Sequence, residues 1–323
     1  MSEIVSKIEW STFLADAKRI IVDLLDFPSK HALSQCSKLD RVLVSQSTWI
    51  FDQIDYMVNR DGRKSMEVQN RYRKDIFMEN DKGPGTIHEK AYRLETEVSW
   101  TAKSEEVVDG DEDFQDLASQ RLNEMLRAQK FTVDCLKMDL LTKPPVLAQK
   151  VCVNTVSIAA ELRPVDSRLL LQMVDAIEPN VDWLEFRLKF DAAPGLGSLE
   201  TVKKAKRLVF SSESSVTDDE LLHLDAGFIS IYSSKTTRKG LISFIHKRFD
   251  ERKECELDVN AEGIGRIEAA FRCERIPESA RTVRVMSTLA EYKLTKPGSD
   301  FAFYVVDLER VNVLGVIRKE VAL

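Results

Sequence analysis

One short segment carries a residue pattern that could support metal-dependent cleavage of a phosphodiester. Glu291, Tyr292 and Lys293 form a Glu-x-Lys triplet, and Asp258 or Asp300 could supply a second carboxylate. In such a site the carboxylates bind a divalent ion and the lysine orients the attacking water. Because the chain is 31% charged, a triplet of this kind also arises readily by chance. A nuclease-type site with Glu291, Lys293 and Asp258 is therefore an alternative function only.

Two basic clusters could contact a nucleic acid, because lysine and arginine neutralise backbone phosphates. One lies on a predicted helix over residues 198–208, and the other includes Tyr72, a ring that would stack on a base. Charge runs on helices are also typical of solvated faces. The net charge of −6 and the pI near 5.5 exclude a protein whose whole surface is basic. Local nucleic-acid or anion binding is thus an alternative that depends on Lys203, Lys204, Lys206, Arg207, Arg71, Arg73 and Lys74.

A pair of glycines lies where a predicted strand meets this helix. Gly195 and Gly197 would allow backbone N–H groups to approach an anion at the helix start. Neither common phosphate-binding motif is complete. Glu200 occupies the position of the third glycine of a dinucleotide fingerprint, and no Gly-Lys-Ser/Thr follows. We interpret the segment as a tight turn with Ser198 as helix N-cap, and nucleotide binding as a third hypothesis.

The sequence contains no spacing typical of metal ligands or of a catalytic nucleophile. The histidines are isolated, and there is no Cys-x-x-Cys pair and no Gly-x-Ser-x-Gly segment. We therefore predict no metal and no cofactor. Scattered cysteines are typical of reduced thiols in the cytoplasm. The histidines are His31, His88, His223 and His246, and the cysteines are Cys36, Cys135, Cys152, Cys255 and Cys273.

Two amphipathic helices are predicted near the N-terminus. Apolar residues recur with a 3.6-residue period over Ser11–Asp26 and again over Ser37–Asn59. Pro28 is expected to stop the first helix. A two-helix hairpin has an apolar face wider than one partner can cover. We therefore predict that residues 1–82 form a helical hairpin domain that binds a second copy or another subunit.

Residues 86–323 are predicted to form an α+β domain, with an optional internal boundary near 142–146. The clearest strand is Tyr92–Trp100, in which apolar and polar residues alternate. The acidic segment Glu105–Asp116 is interpreted as a loop that leads into a helix over Glu112–Lys130. The fold class is α+β, a helical hairpin followed by a mixed or antiparallel sheet with flanking helices, because strands and helices do not alternate regularly.

The remaining predicted elements follow from periodicity, capping and turn signals. The last two predicted strands are expected to form a hairpin, and the last predicted helix begins with a capping box, Thr217 to Glu220. The predicted strands are Thr132–Leu141, Val151–Ile158, Asp182–Phe190, Phe228–Tyr232, Leu241–His246, Thr282–Met286, Phe301–Val306 and Val311–Ile317. The predicted helices are Asp166–Ile177, Ser198–Leu208 and Thr217–Leu224.

The predicted function is binding rather than catalysis. Incomplete motifs, few histidines and charge-dense helices favour an interaction or scaffold protein that self-associates or joins a larger assembly. Nucleic-acid binding, or a divalent-metal-dependent nuclease, is the alternative. The first residues lack a basic region leading into an apolar one, and no run of about eighteen uncharged apolar residues occurs. We therefore expect a cytoplasmic protein that does not insert into membranes.

Overall fold

The structure is a computed structural model in which the chain divides into two compact units, Met1–Cys135 and Leu136–Leu323. Helices and a sheet with both parallel and antiparallel pairs are present, so the fold class is α+β, as predicted. No helix of the described residues is both long enough and apolar enough to span a bilayer. The structure describes residues 14–25, 27–58, 63–70, 73–79, 86–96, 99–109, 114–127, 130–139, 146–160, 166–188, 194–260, 270–276, 291–306 and 312–319.

The first unit begins with three short helices: α1 Ala15–Leu24, α2 Phe27–Cys36 and α3 Lys38–Gln46. Ser37 caps α3, because its side chain accepts a hydrogen bond from the Asp40 N–H at 3.0 Å. Val22 of α1 is buried together with Leu43 and Val44 of α3. A small apolar core therefore holds these helices together.

The predicted two-helix hairpin is wrong in its second half. The backbone becomes extended at Ser47, and strand β1 occupies Thr48–Val58 in place of the predicted helix over Ser37–Asn59. The strand begins Thr-Trp-Ile-Phe, and β-branched and aromatic residues favour extended structure. Pro28 does not stop a helix either. It lies in the first turn of α2, where a proline costs no helical hydrogen bond.

Five strands of the first unit form an antiparallel meander in which each pairs with the next. The predicted strand Tyr92–Trp100 spans the end of one strand and the start of another. The predicted acidic loop Glu105–Asp116 is wrong at its start, because Glu105 lies in a strand opposite Lys90, an oppositely charged neighbour. After β1 the strands are β2 Lys64–Asn70, β3 Arg73–Glu79, β4 Thr86–Thr96 and β5 Ser99–Asp109.

The boundary predicted between residues 82 and 86 falls between β3 and β4, which pair with each other. The division that the structure shows comes later, at Cys135 and Leu136, close to the optional boundary at 142–146. Helix α4, Phe114–Arg127, matches the predicted helix there apart from its ends. Strand β6, Lys130–Asp139, covers most of another predicted strand.

Five parallel strands that are neighbours in both sequence and space form the centre of the second unit. Crossovers between neighbouring parallel strands are right-handed, so all the connecting helices lie on one face of the sheet. The strands are β7 Cys152–Ala160, β8 Trp183–Leu188, β9 Arg207–Ser214, β10 Phe228–Ser233 and β11 Cys255–Asn260. The helices are α5 Ser167–Asp175, α6 Glu200–Lys203, α7 Asp218–His223 and α8 Arg238–Glu251.

An antiparallel extension continues this sheet beyond β11. Its strands are β12 Arg272–Ile276, β13 Glu291–Thr295, β14 Phe301–Val306 and β15 Asn312–Lys319, in the spatial order β12-β13-β14-β15-β11. The predicted pairing of the last two strands is confirmed. The predicted strand Thr282–Met286 lies outside the described residues.

The predicted strand Leu241–His246 is wrong, because these residues lie in α8. Thr237 caps this helix by accepting a hydrogen bond from the Gly240 N–H at 3.3 Å. Leu241, Phe244 and the residues one turn further on are buried at helical spacing. A short window over this segment shows the alternation of a strand, whereas the full helix shows a 3.6-residue period.

A buried arginine fastens α8 to the segment between α7 and β10. The Arg248 guanidinium is almost fully buried and donates hydrogen bonds to the carbonyls of Leu224 at 3.1 Å and Ala226 at 2.9 Å. It also donates to the Asp225 carboxylate at 3.1 Å, which Lys253 contacts at 2.6 Å. Burial tends to raise the pKa of Asp225, but the hydrogen bond from Lys253 and the two positive charges outweigh it and lower this pKa.

Candidate functional site

Large apolar side chains are exposed on the N-terminal helices. Leu14 is 80% exposed, Ile20 63%, Leu39 62% and Val42 50%. Only two other large apolar side chains of the described residues are exposed to a comparable degree. Leu39 and Val42 lie three positions apart on α3 and therefore project from the same side of that helix. We call these four residues the N-terminal apolar surface.

Charged side chains accompany this surface on the same two helices. Asp16 and Arg19 are exposed on α1, and Lys38 and Arg41 are exposed on α3. Arg41 also donates a hydrogen bond to the Ser34 carbonyl at 3.3 Å. Protein interfaces combine apolar residues with charged and polar ones at their rim, and these two helices expose both kinds of residue.

The predicted basic helix is shorter in the structure than in the prediction over Ser198–Leu208. Helix α6 ends at Lys203, and Arg207 already belongs to β9. Lys203 and Lys204 both contact Glu200, at 3.4 and 3.1 Å. Hydrogen bonds from Lys204 and then Lys203 lower the pKa of that carboxyl group. Two of the four predicted phosphate-binding residues, Lys203 and Lys204, therefore already form ion pairs with a neighbouring acid.

The other two members of this cluster also have partners within the unit. Lys206 forms an ion pair with Asp182 at 2.5 Å. The Arg207 guanidinium lies over the rings of Trp183 and Phe228, at 4.9 and 4.7 Å from their centroids. A nucleic acid would therefore have to compete with existing contacts at each position, which weakens the electrostatic case for binding here.

The second predicted basic cluster is described only in part. Arg71 lies outside the described residues, and Arg73 is described by its place in β3 alone. Lys74 forms an ion pair with Glu67 of β2 at 2.5 Å. The two basic clusters belong to different units, and each remains a separate prediction.

The sheet order separates the residues of the predicted nuclease site. Glu291 and Lys293 lie in β13, whereas Asp258 lies in β11, three strands away along the sheet. Three strand spacings amount to about 14 Å, too far for Glu291 and Asp258 to share one ion. Asp300, the other candidate carboxylate, faces Arg252 at 3.8 Å and Lys319 at 3.9 Å. Among the described residues, no group of three histidines, cysteines or carboxylates could hold a metal ion.

The glycine pair forms a turn, as interpreted from the sequence. Gly195 has a φ of 90°, a left-handed conformation that favours glycine. A Cβ atom on Gly197 would lie 2.9 Å from the Glu220 Cβ atom, so this glycine allows α7 to approach closely. The predicted N-cap is wrong by one residue: Leu199 precedes α6, and the Ser198 hydroxyl instead donates to Glu220 at 3.3 Å. These contacts explain both glycines without a phosphate.

A row of polar side chains crosses the parallel sheet on the face opposite the helices. Leu184, Phe186 and Leu188 of β8 are buried, so Glu185 and Arg187 point to the opposite face. Glu185 accepts hydrogen bonds from the hydroxyls of Ser157 on β7, at 3.3 Å, and of Ser211 on β9, at 3.2 Å. Arg187 lies 3.9 Å from Glu185 and 3.4 Å from Ser157.

The same face carries further polar residues on β10 and β11, beyond Val209, which is the register partner of both Glu185 and Ser230. Ser230 donates a hydrogen bond to Asp258 at 3.4 Å, and the two residues are register partners. Tyr232 lies two residues beyond Ser230 and is 42% exposed. We call the set Ser157, Glu185, Arg187, Ser211, Ser230, Tyr232 and Asp258 the polar face.

Alternation along the predicted strand Asp182–Phe190 places Glu185 and Arg187 on one face, but it does not connect them with the serines of neighbouring strands. The strand alternation itself is confirmed. The connection depends on which strands are neighbours, and no local signal in one strand specifies that. Three successive strands with polar residues at alternate positions would have been the only available indication.

Comparison of the chain with known protein families, curated proteins and solved structures gives no significant match. A functional proposal for this protein therefore depends on its own residues.

Proposed function

We propose that the protein is a cytoplasmic interaction protein that self-associates through the N-terminal apolar surface. The supporting observation is the 50 to 80% exposure of Leu14, Ile20, Leu39 and Val42 on adjoining helices. Clustered exposed apolar residues with a polar rim are typical of protein interfaces. The cytoplasmic location is supported by the scattered cysteines of the sequence.

A second copy of this chain is the partner that we propose for this surface. In a two-fold contact, residue i of one copy meets residue j of the other, and the reverse contact forms as well. Asp16 of one copy would thus face Arg19, Lys38 or Arg41 of the other, and each pair would form twice. Three of these four charges are positive, so the apolar contacts must supply most of the association and the ion pairs only supplement them.

The apolar contribution to self-association and its entropic cost are of similar size. Full burial of a leucine, isoleucine or valine side chain contributes about 1.5 to 3 kcal/mol. Scaled by the exposed fractions, each residue contributes about 1 to 2 kcal/mol, so eight side chains from two copies contribute roughly 10 kcal/mol. The loss of translational and rotational freedom costs about 4 to 15 kcal/mol. The net free energy of self-association therefore depends on each of the four apolar residues.

Sedimentation equilibrium of the full chain and of the double variant Leu39→Ser/Val42→Ser tests this proposal. The substitutions remove half of the apolar surface from each copy without touching the buried core. We expect self-association to weaken about 4,000-fold, from the loss of about 5 kcal/mol. Val146→Ser, at a 40% exposed valine of the second unit, is the matched control and should associate like the wild type. Equal association constants for the double variant and the wild type would refute the proposal.

Nucleic-acid binding, the alternative, has weaker support. All four basic residues at 203–207 contact an acid or an aromatic ring of the same unit. The nuclease hypothesis has weaker support still, because Asp258 and Glu291 lie three strands apart. Binding of a second copy is therefore the function that we propose.

A further inference from the structure

The polar face combines side chains of different chemistry from neighbouring parallel strands. Arg187 and Tyr232 each come one residue before the end of β8 and of β10. Ser211 lies in the middle of β9 and follows Phe210 of the register-paired row Phe186–Phe210–Ile231. Three different strands thus bring a cation, a hydroxyl and an aromatic ring to the same face.

This face retains unused hydrogen-bonding capacity. Glu185 accepts from Ser157 and Ser211, and a carboxylate has about four acceptor sites. Arg187 has five N–H donors and a 46% exposed side chain, and only Ser157 and Glu185 contact it in the described residues. Donors and acceptors are therefore available side by side, an arrangement that suits hydroxyl groups, since each hydroxyl both donates and accepts.

Tyr232 adds a flat apolar surface next to these groups. Its ring side chain is exposed, while its backbone carbonyl accepts a hydrogen bond from the Ser214 hydroxyl at 3.0 Å. The following residue, Ser233, is fully buried and donates to the Val216 carbonyl at 2.9 Å. The ring is therefore carried on a fixed backbone. Two strand spacings, about 10 Å, separate its strand from that of Arg187. On the intervening strand its register partner is Glu213, because a bulge shifts the register between Ile231 and Tyr232.

The charge of this surface indicates the class of ligand. Strand alternation places four carboxylates on this face against two guanidinium groups. The acids are Glu185, Glu213, Glu256 and Asp258, and the guanidinium groups are those of Arg187 and Arg207. Such an excess of negative charge disfavours phosphates and other anions. A neutral sugar fits, because its hydroxyls match the carboxylate and the guanidinium, and its C–H face is attracted to the negative face of an aromatic ring.

We propose that the polar face binds a neutral sugar, with the ring stacked on Tyr232 and hydroxyls bonded to Glu185, Arg187 and Ser211. The site belongs to the second unit, and its ligand is independent of the self-association proposed above.

Saturation-transfer difference NMR with the full chain tests this proposal, because the method detects weak binding at an open surface. The probes are D-glucose, D-galactose, D-mannose and D-ribose, and inorganic phosphate is followed separately by ³¹P line broadening. We expect saturation of the C–H protons of at least one sugar and no phosphate broadening. Tyr232→Ser should weaken binding about two- to tenfold, as expected for loss of a ring contact, whereas Tyr232→Phe should retain it.

Glu185→Gln removes the charged acceptor and should weaken sugar binding, whereas Glu254→Gln, at an exposed glutamate outside the polar face, should leave it unchanged. Unchanged melting temperatures would show that each variant is folded. The proposal is overturned if none of the four sugars binds or if phosphate binds in their place. It is equally overturned if a sugar signal survives unchanged in both Tyr232→Ser and Glu185→Gln.

Discussion

Replacement of Arg248 by alanine should destabilise the second unit strongly. The substitution leaves the carbonyl of Leu224 without the guanidinium and leaves that of Ala226 with only the weak thiol donor of Cys255 at 3.4 Å. An unsatisfied buried polar group costs about 1 to 3 kcal/mol. Together with the cavity left by the side chain, the expected loss in the free energy of unfolding is about 3 to 5 kcal/mol. That loss is a large part of the stability of a typical domain.

Urea unfolding followed by circular dichroism measures this loss, with the transition of each unit fitted separately. Hydrogen exchange adds a local readout, because the amides of Gly227 and Phe228 both bond to the Lys206 carbonyl beside the arginine contacts. Arg248→Lys keeps one donor group and should lose less than Arg248→Ala.

Arg168→Ala is the matched control for the Arg248 variants. Its side chain is 93% exposed and its ion pair with Asp166 spans 3.7 Å, so the loss should stay within about 0.5 kcal/mol. If Arg248→Ala were as mild as this control, the reasoning that a buried guanidinium satisfies these carbonyls would be refuted.

Three further results are expected. Burial and then the charge of Lys296 lower the pKa of His246, against the opposing charge of Asp250. Because the unfolded chain therefore binds this proton at a higher pH than the folded chain, the free energy of unfolding should decrease as the pH falls below about 6.5. Urea titrations at several pH values should show a flatter pH dependence for His246→Phe. Gly240→Ala should lower the melting temperature, although alanine favours helices, because the new Cβ atom would collide with the Asp218 carboxylate. An unchanged or higher melting temperature would contradict this contact. Burial raises the pKa of the Cys255 thiol to about 12, so a thiol reagent should modify exposed Cys36 quickly and Cys255 only when the protein unfolds. Fast labelling of both cysteines in the folded protein would contradict this expectation.

Local signals predicted the elements that local interactions determine. The capping box that begins α7 is present, with the Thr217 hydroxyl accepting from the Glu220 N–H and the Glu220 carboxylate accepting from the Thr217 N–H. Helix α5 begins directly after Asp166, which caps it. The final hairpin also follows from two apolar runs separated by a short polar turn.

Elements with an ambiguous period were predicted less well. Over Ser37–Asn59 the apolar residues fit a helical stripe, but from Thr48 onward tertiary pairing with β2 determines a strand. In Leu241–His246 the local alternation suggested a strand, whereas the Thr237 cap and the burial of Arg248 one turn later belong to a helix. Longer windows and capping signals resolve such cases only in part.

The candidate sites depended on long-range neighbours. The apolar character of α1 and α3 was visible in the sequence, but the burial of Val22 and Leu43 and the exposure of Leu39 follow from how the helices pack. The polar face required the order of five strands, because Ser157 and Glu185 are 28 residues apart in the chain. Sequence patterns therefore indicated which residues were available, and the fold determined which of them meet.

The mass of the unmodified chain in solution tests the proposed self-association most directly. Light scattering across a size-exclusion peak gives this mass, and absorbance at 260 and 280 nm across the same peak reports any bound nucleic acid. The proposal predicts an integer multiple of 36.8 kDa, with two copies as the expected value, and an absorbance ratio typical of protein alone. A monomer at every concentration would contradict self-association. A peak rich in nucleic acid that separates at high salt would instead support the basic clusters as the functional surface.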